Sequence, residues 1–129
     1  MDRCSAVRVA NMNTLSRGMV IDINLDPTKD SETGIIRPCV IVTNNTYNAR
    51  VPVIQVVPLT AWSERKISII TNVEIAPSSN NGLIQKSVAD CLQTRPVDHR
   101  ARLVKVLGEL EGGIMAKIDD GLKIVFDLT

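Results

Sequence analysis

The chain has 129 residues, a mass of 14.1 kDa and a formal net charge of +1, which predicts one domain with enough length to bury a core without disulfides or a structural metal. Its three cysteines, Cys4, Cys39 and Cys91, lie far apart with no Cys-x-x-Cys pair, so they are expected to stay reduced. No apolar run approaches the ~20 residues of a membrane helix and no hydrophobic segment opens the chain, so a soluble cytoplasmic protein without membrane contact is expected.

Charge is spread unevenly. Residues 1–36 carry four basic and five acidic side chains, 37–105 nine and four, and 106–129 two and five. A basic middle and an acidic end can occupy different faces, so a near-neutral total leaves an anion-binding surface open.

Residues 1–16 lack clear periodicity and are expected to form a flexible arm ahead of a single domain over 17–129; Met12 offers an alternative translation start inside that arm. From Gly18 to Leu25, Met19, Ile21, Ile23 and Leu25 alternate with other residues, the period of a strand with one buried face. Pro38 to Thr43 and Val51 to Leu59 are short apolar runs rich in β-branched residues, and both are expected as strands. Between them Thr43-Asn44-Asn45-Thr46 supplies N-cap residues for a single helical turn or a wide loop. Ile67, Ile69, Thr71, Val73 and Ile75 alternate again, and Ser87–Gln93 and Leu103–Leu107 predict two further strands. Ile114, Ile118, Leu122 and Val125 then recur at helical spacing, which predicts an amphipathic helix over Glu111–Phe126, weakened by Gly112, Gly113 and Gly121 at ~1 kcal/mol each relative to Ala. Short strands with brief connections and one closing helix predict a mainly β (α+β) fold, a compact barrel or sandwich with appended helices.

The chemistry available is limited. The one histidine, His99, is flanked by Asp98 and Arg100 in a charged connection, and no phosphate-binding Gly-rich loop or Gly-x-Ser-x-Gly elbow is present. Neither a metal site nor a cofactor is expected. An arginine, a carboxylate and a hydroxyl (Arg37, Glu32 and Thr60) stand where apolar runs meet loops. This set suits cleavage of RNA, whose 2′-hydroxyl is its own nucleophile, so the protein need only position groups, move protons and stabilise charge. The Arg37 guanidinium stays charged and can grip two phosphate oxygens, Glu32 is a candidate proton acceptor, and Thr60 can hydrogen-bond the phosphate. Trp62, one of three aromatic residues, lies beside Arg65 and Lys66. A base could stack on its indole while the cations hold phosphate; the alternative is that Trp62 closes the barrel end or a dimer seam.

Arg17-Gly18, Leu25-Asp26-Pro27-Thr28, Glu32, Gly34, Arg37-Pro38-Cys39-Val40-Ile41-Val42-Thr43-Asn44, Asn48, Pro58-Leu59-Thr60, Ser87-Val88, Gln93-x-Arg95 and Asp98 form an ordered series. The series resembles that of the MazF/PemK toxins. The resemblance implies an SH3-like β-barrel, a homodimer, metal-independent and sequence-specific cleavage of single-stranded RNA, and neutralisation by an antitoxin with an acidic, partly disordered tail. It implies Arg37 and Thr60 as the catalytic pair, with Glu32 assisting. It also implies RNA contacts from the loop residues Ser31 and Thr33 and from Gln93 and Arg95. Leu92 stands where many relatives carry a carboxylate, which leaves the acid or base at that point unassigned; Asp90, expected on the same strand face, is a displaced substitute. Two alternatives share this barrel: a toxin that binds gyrase, and an antitoxin-binding scaffold with weakened cleavage.

Overall fold

The structure, a computed structural model, describes residues 14–25 and 35–128. Among these described residues, seven strands and four helices follow in the order β1 (Met19–Asn24), β2 (Ile36–Ile41), α1 (Asn45–Asn48), β3 (Val53–Ala61), α2 (Glu64–Ile67), β4 (Asn72–Ile75), β5 (Ser87–Asp90), β6 (Arg95–Asp98), α3 (His99–Arg102), β7 (Leu103–Glu109) and α4 (Gly112–Phe126), with a 3-10 turn over Cys91–Gln93. All pairings are antiparallel, in the order β4-β5-β3-β2-β1-β7. The long strand β3 holds the sheet together. One edge pairs with β2, and the other pairs first with β6 (Val53–Val56) and then with β5 (Leu59–Ala61). The mainly β fold with appended helices and a C-terminal amphipathic helix is the one expected from the sequence.

Both faces of the central strands are buried, which explains why β2 and β3 read as continuous apolar runs and not as alternations. Val20, Val40, Val57 and Leu59 point to one side, where Val73, Ile75, Met115 and Ile118 meet them. Their neighbours Ile21, Ile23, Cys39, Ile41, Ile54 and Val56 point to the other and join Leu15 and Val97 in a second core. Each large side chain so buried stabilises the fold by about 1.5–3 kcal/mol. The segment after β4 then folds back on β7: the Glu109 amide donates to the Asn80 carbonyl at 2.9 Å, and Leu110 N–H to Gly18 O at 2.9 Å. Two glycines permit that approach. A Cβ on Gly82, whose φ is +69°, would land on the Leu107 carbonyl, and one on Gly108 would land on that of Asn80.

The helical turn predicted after Thr43 is α1, capped by the Asn44 side chain, which accepts from Thr46 N–H at 2.8 Å. The alternation from Ile67 to Ile75 misled. Ser63 caps a helical turn there by accepting from Lys66 N–H at 3.2 Å, so Ile67 ends α2 and only Asn72–Ile75 is strand; Ile70 is 81% exposed. The strand expected over Ser87–Gln93 stops at Asp90, and β6, which the sequence reading missed, follows the 3-10 turn. No helix among the described residues is long and apolar enough to cross a membrane. Residues 1–13, including Met12, lie outside the described part.

Candidate nucleic-acid interface

Strand register determines which candidate residues meet. On β2, Arg37 continues the row of Ile41 and Cys39; on β3, Thr60 continues that of Ile54, Val56 and Pro58. Both rows face the second core, since side chains two apart share a sheet face. Cys39 is opposite Pro58 in the last pair of the β2–β3 ladder, and Arg37 and Thr60 lie two residues beyond it on their strands, on the same sheet face. Pro38 and Pro58 lack N–H donors, which is a physical reason for the β2–β3 ladder to end there. Beyond that point Arg37 pairs with Ile23 of β1, and Thr60 with Val88 of β5. The Arg37 side chain is exposed and Thr60 is half-buried, and neither makes a side-chain hydrogen bond or ion pair among the described residues.

Arg95 lies on the same sheet face, farther back along β3. It is opposite Val56 on β6 and shares the face of Val97, whose side chain is in the second core. The Cys39 thiol senses the group electrostatically. Burial pushes its pKa up to about 12, against the opposing pull of the Arg95 and Arg37 guanidinium groups, while Asp22 pushes upward with the burial. Gln93 and Leu92 are exposed in the 3-10 turn, 65% for Leu92, and the turn is tied to β3 by Thr94 Oγ1 donating to Val56 O at 3.0 Å. Because Cys91–Gln93 is a 3-10 turn, Asp90 does not share a strand face with Leu92; it ends β5 opposite Asn72. A displaced carboxylate is not supplied in the way the alternation suggested.

Trp62 follows the end of β3 and is engaged on two sides. Its Nε1–H donates to Glu74 Oε1 at 2.8 Å, and Lys86 Nζ stands 4.2 Å from the ring centroid and 3.8 Å from Glu74 Oε2. Sequence reasoning singled out neither Lys86 nor Glu74, because only the β3–β5–β4 pairing brings their segments to the indole. On α2 Arg65 is exposed, whereas the Lys66 ammonium donates to Ala61 O at 2.9 Å. Ser31, Glu32 and Thr33 lie outside the described residues. His99 is remote from all of these: its amide binds Pro52 O, at the start of β3, about 26 Å along the strand from Thr60. Among the described residues no three His, Cys, Asp or Glu side chains gather in a way that could hold a metal ion.

Arg37, Thr60 and Trp62 therefore stand at one end of β3, with Arg95 farther back on the face that Arg37 and Thr60 share. Residues 16–126 match the model of the PemK-like, MazF-like toxin of type II toxin-antitoxin system. The chain is 30% identical over 120 residues to the endoribonuclease MazF9 of Mycobacterium tuberculosis, covering 88% of this chain and 98% of that protein. It is 32% identical over 110 residues to the endoribonuclease EndoA of Bacillus subtilis, covering 85% and 92%. Among solved structures, an endoribonuclease in complex with its cognate antitoxin from a mycobacterial species superposes with a TM-score of 0.71 at 25% identity, covering 89% of this chain and 97% of the other. MazF of Deinococcus radiodurans shares the fold, with a TM-score of 0.70 at 21% identity over 88% and 97% of the two chains. The chain belongs to the PemK-like, MazF-like family of toxins of type II toxin–antitoxin systems.

Proposed function

We propose that the protein is an endoribonuclease toxin that cuts single-stranded RNA at the rim where β2 and β3 end. The observation that carries this reading is the convergence of Arg37 and Thr60, from two strands, on one sheet face with both side chains uncommitted. In the reaction the ribose 2′-oxygen bonds to the adjacent phosphorus and the bond from phosphorus to the 5′-oxygen breaks, leaving a 2′,3′-cyclic phosphate and a 5′-hydroxyl. Negative charge grows on the phosphoryl oxygens as this happens. The Arg37 guanidinium offsets that charge through paired N–H donors, and the Thr60 hydroxyl hydrogen-bonds the same group. Glu32 takes the 2′-hydroxyl proton, and a proton returns to the departing 5′-oxygen. Arg95 and Gln93, with Ser31 and Thr33, hold the strand on either side. Arg65 and Lys66 contact phosphate, and a base stacks on Trp62.

The protein partner is an antitoxin whose acidic, disordered segment covers the basic rim and folds on binding. The toxin acts as a cytoplasmic homodimer, with residues 17–129 as its single domain. The deciding experiment incubates the purified protein with a diverse single-stranded RNA pool and with an all-deoxy copy, both in excess chelator. Discrete RNA cuts ending in cyclic phosphate, with the DNA intact, are expected; intact RNA, or equal cutting of DNA, overturns the reading. Growth arrest that survives Arg37→Ala would favour the gyrase-binding alternative instead.

A further inference from the structure

A hollow of about 280 Å³ borders the rim on the opposite face of the sheet. Ile21 and Ile23 of β1 point into the second core, so Asp22 between them points the other way and lines the hollow. Pro38 is opposite Asp22 on β2, Lys105 is opposite it on β7, and both line the hollow, as do Gln85, Ser87 and Leu107. Two of these residues adjoin the candidate catalytic pair. Pro38 is bonded to Arg37, and Ser87 is opposite Ala61, the residue after Thr60. The hollow thus begins one residue from Arg37 along β2 and opposite the residue after Thr60, around the strand ends from the face that carries that pair.

The chemistry of the lining is selective. Pro38 and Leu107 give apolar walls, while Asp22 contributes an acceptor and Lys105 and Gln85 contribute donors. Although Asp22 and Lys105 are cross-strand neighbours, they form no ion pair, and neither they nor the Gln85 side chain has a hydrogen-bond partner among the described residues. Asp22 is half-buried whereas Lys105 and Gln85 are exposed, so the carboxylate, a partly desolvated acceptor without a partner, is the group that most favours a ligand that supplies one. The volume is slightly below the ~300–1,000 Å³ of drug-sized sites, which suits one planar heterocycle and not a larger molecule.

We propose that this hollow is a base-recognition subsite that receives one splayed base of the RNA beside the cut, a base carrying an exocyclic amino group. Single-stranded RNA is read by bases swung out of the stack and hydrogen-bonded at their edges. The Asp22 carboxylate accepts from the amino group, and Lys105 and Gln85 donate to ring nitrogens or carbonyl oxygens beside it. Uracil has no amino group, and its one edge donor, N3–H, is flanked by two carbonyl oxygens that repel the carboxylate. The inference rests on the ribonuclease reading of the rim.

Cut-site mapping on a fully randomised RNA pool tests it, with base preference and not rate as the readout. For the wild type, one position beside the cut should disfavour uracil by about tenfold or more. Asp22→Ala and, separately, Lys105→Met should bring that position to within about twofold of even use while leaving preferences elsewhere intact. An unchanged preference in both variants, or a wild type with no such position, overturns the subsite but leaves the ribonuclease reading standing. Wild-type protein that leaves RNA uncut overturns both. Circular dichroism checks each fold, and if Asp22→Ala fails to fold, an unchanged preference in Lys105→Met alone overturns the proposal.

Discussion

The Arg37 side chain is exposed and makes no hydrogen bond or ion pair among the described residues, so the fold gains little from its guanidinium. A residue kept in such a position is suited to a partner outside the chain. This separates its two possible contributions cleanly. Arg37→Lys keeps the charge but loses the planar pair of donors that matches phosphoryl oxygens. We expect it to lower the rate of RNA cleavage by about 10²–10³-fold, comparable to losing one donor from a preorganised oxyanion site. Stability should stay within about 0.5 kcal/mol of wild type. Single-turnover cleavage and urea unfolding on the same preparations check both halves. A large loss of stability with cleavage unchanged would instead make Arg37 a structural residue.

Among the elements, α4 shows how packing overrides propensity. Read as sequence, its three glycines are equivalent weak points, yet their surroundings differ. Gly112 and Gly113 have nothing within 4 Å of a built Cβ, whereas one on Gly121 would stand 2.7 Å from the Thr71 carbonyl oxygen and 2.9 Å from Cys91 Sγ. Gly121 lets the helix lie against the segment before β4 and the 3-10 turn that carries Gln93. Gly113→Ala should therefore stabilise the protein by about 0.4–1 kcal/mol. Gly121→Ala gains a similar ~1 kcal/mol of helix propensity but must push the helix off a backbone carbonyl, so a net loss of about 1–3 kcal/mol is expected. Thermal unfolding of both variants tests this, and a Gly121→Ala protein as stable as Gly113→Ala would contradict the packing argument. The same contrast explains what was legible. Periodicity revealed β1 and α4, and motif chemistry singled out Arg37 and Thr60 as candidates. Periodicity failed between Ile67 and Ile75, where the residues alternate as in a strand although the Ser63 cap starts a helical turn that ends at Ile67. It also failed at β6, whose Arg95-Pro96 start resembles a connection. The approach of Arg37 to Thr60 and the Trp62–Glu74–Lys86 cluster depend on strand register, which no local pattern encodes.

At the scale of the whole molecule, the two cores share one sheet, and each holds a buried thiol: Cys91 on the helix side and Cys39 on the other. Burial raises both pKa values from 9.0, to about 11 for Cys91, where Asp90 and Asp119 push further in the same direction, and to about 12 for Cys39. In the unfolded chain each thiol ionises near 9, so below that value neither contributes a pH dependence. As pH rises through 9, the unfolded state releases protons that the folded state retains, and stability falls until the folded thiols ionise in turn. The window is therefore pH 9 to about 11 for Cys91 and 9 to about 12 for Cys39, with a slope approaching about 1.4 kcal/mol per pH unit for each. The difference between wild type and a variant lacking one thiol isolates that thiol's contribution. Cys39→Val keeps the site apolar and removes one ionisation. Its stability relative to wild type should rise steadily between about pH 9 and about pH 11 while remaining flat below about pH 8. Urea midpoints across that series provide the check, and parallel curves for the two proteins would show that the Cys39 proton plays no part in alkaline unfolding.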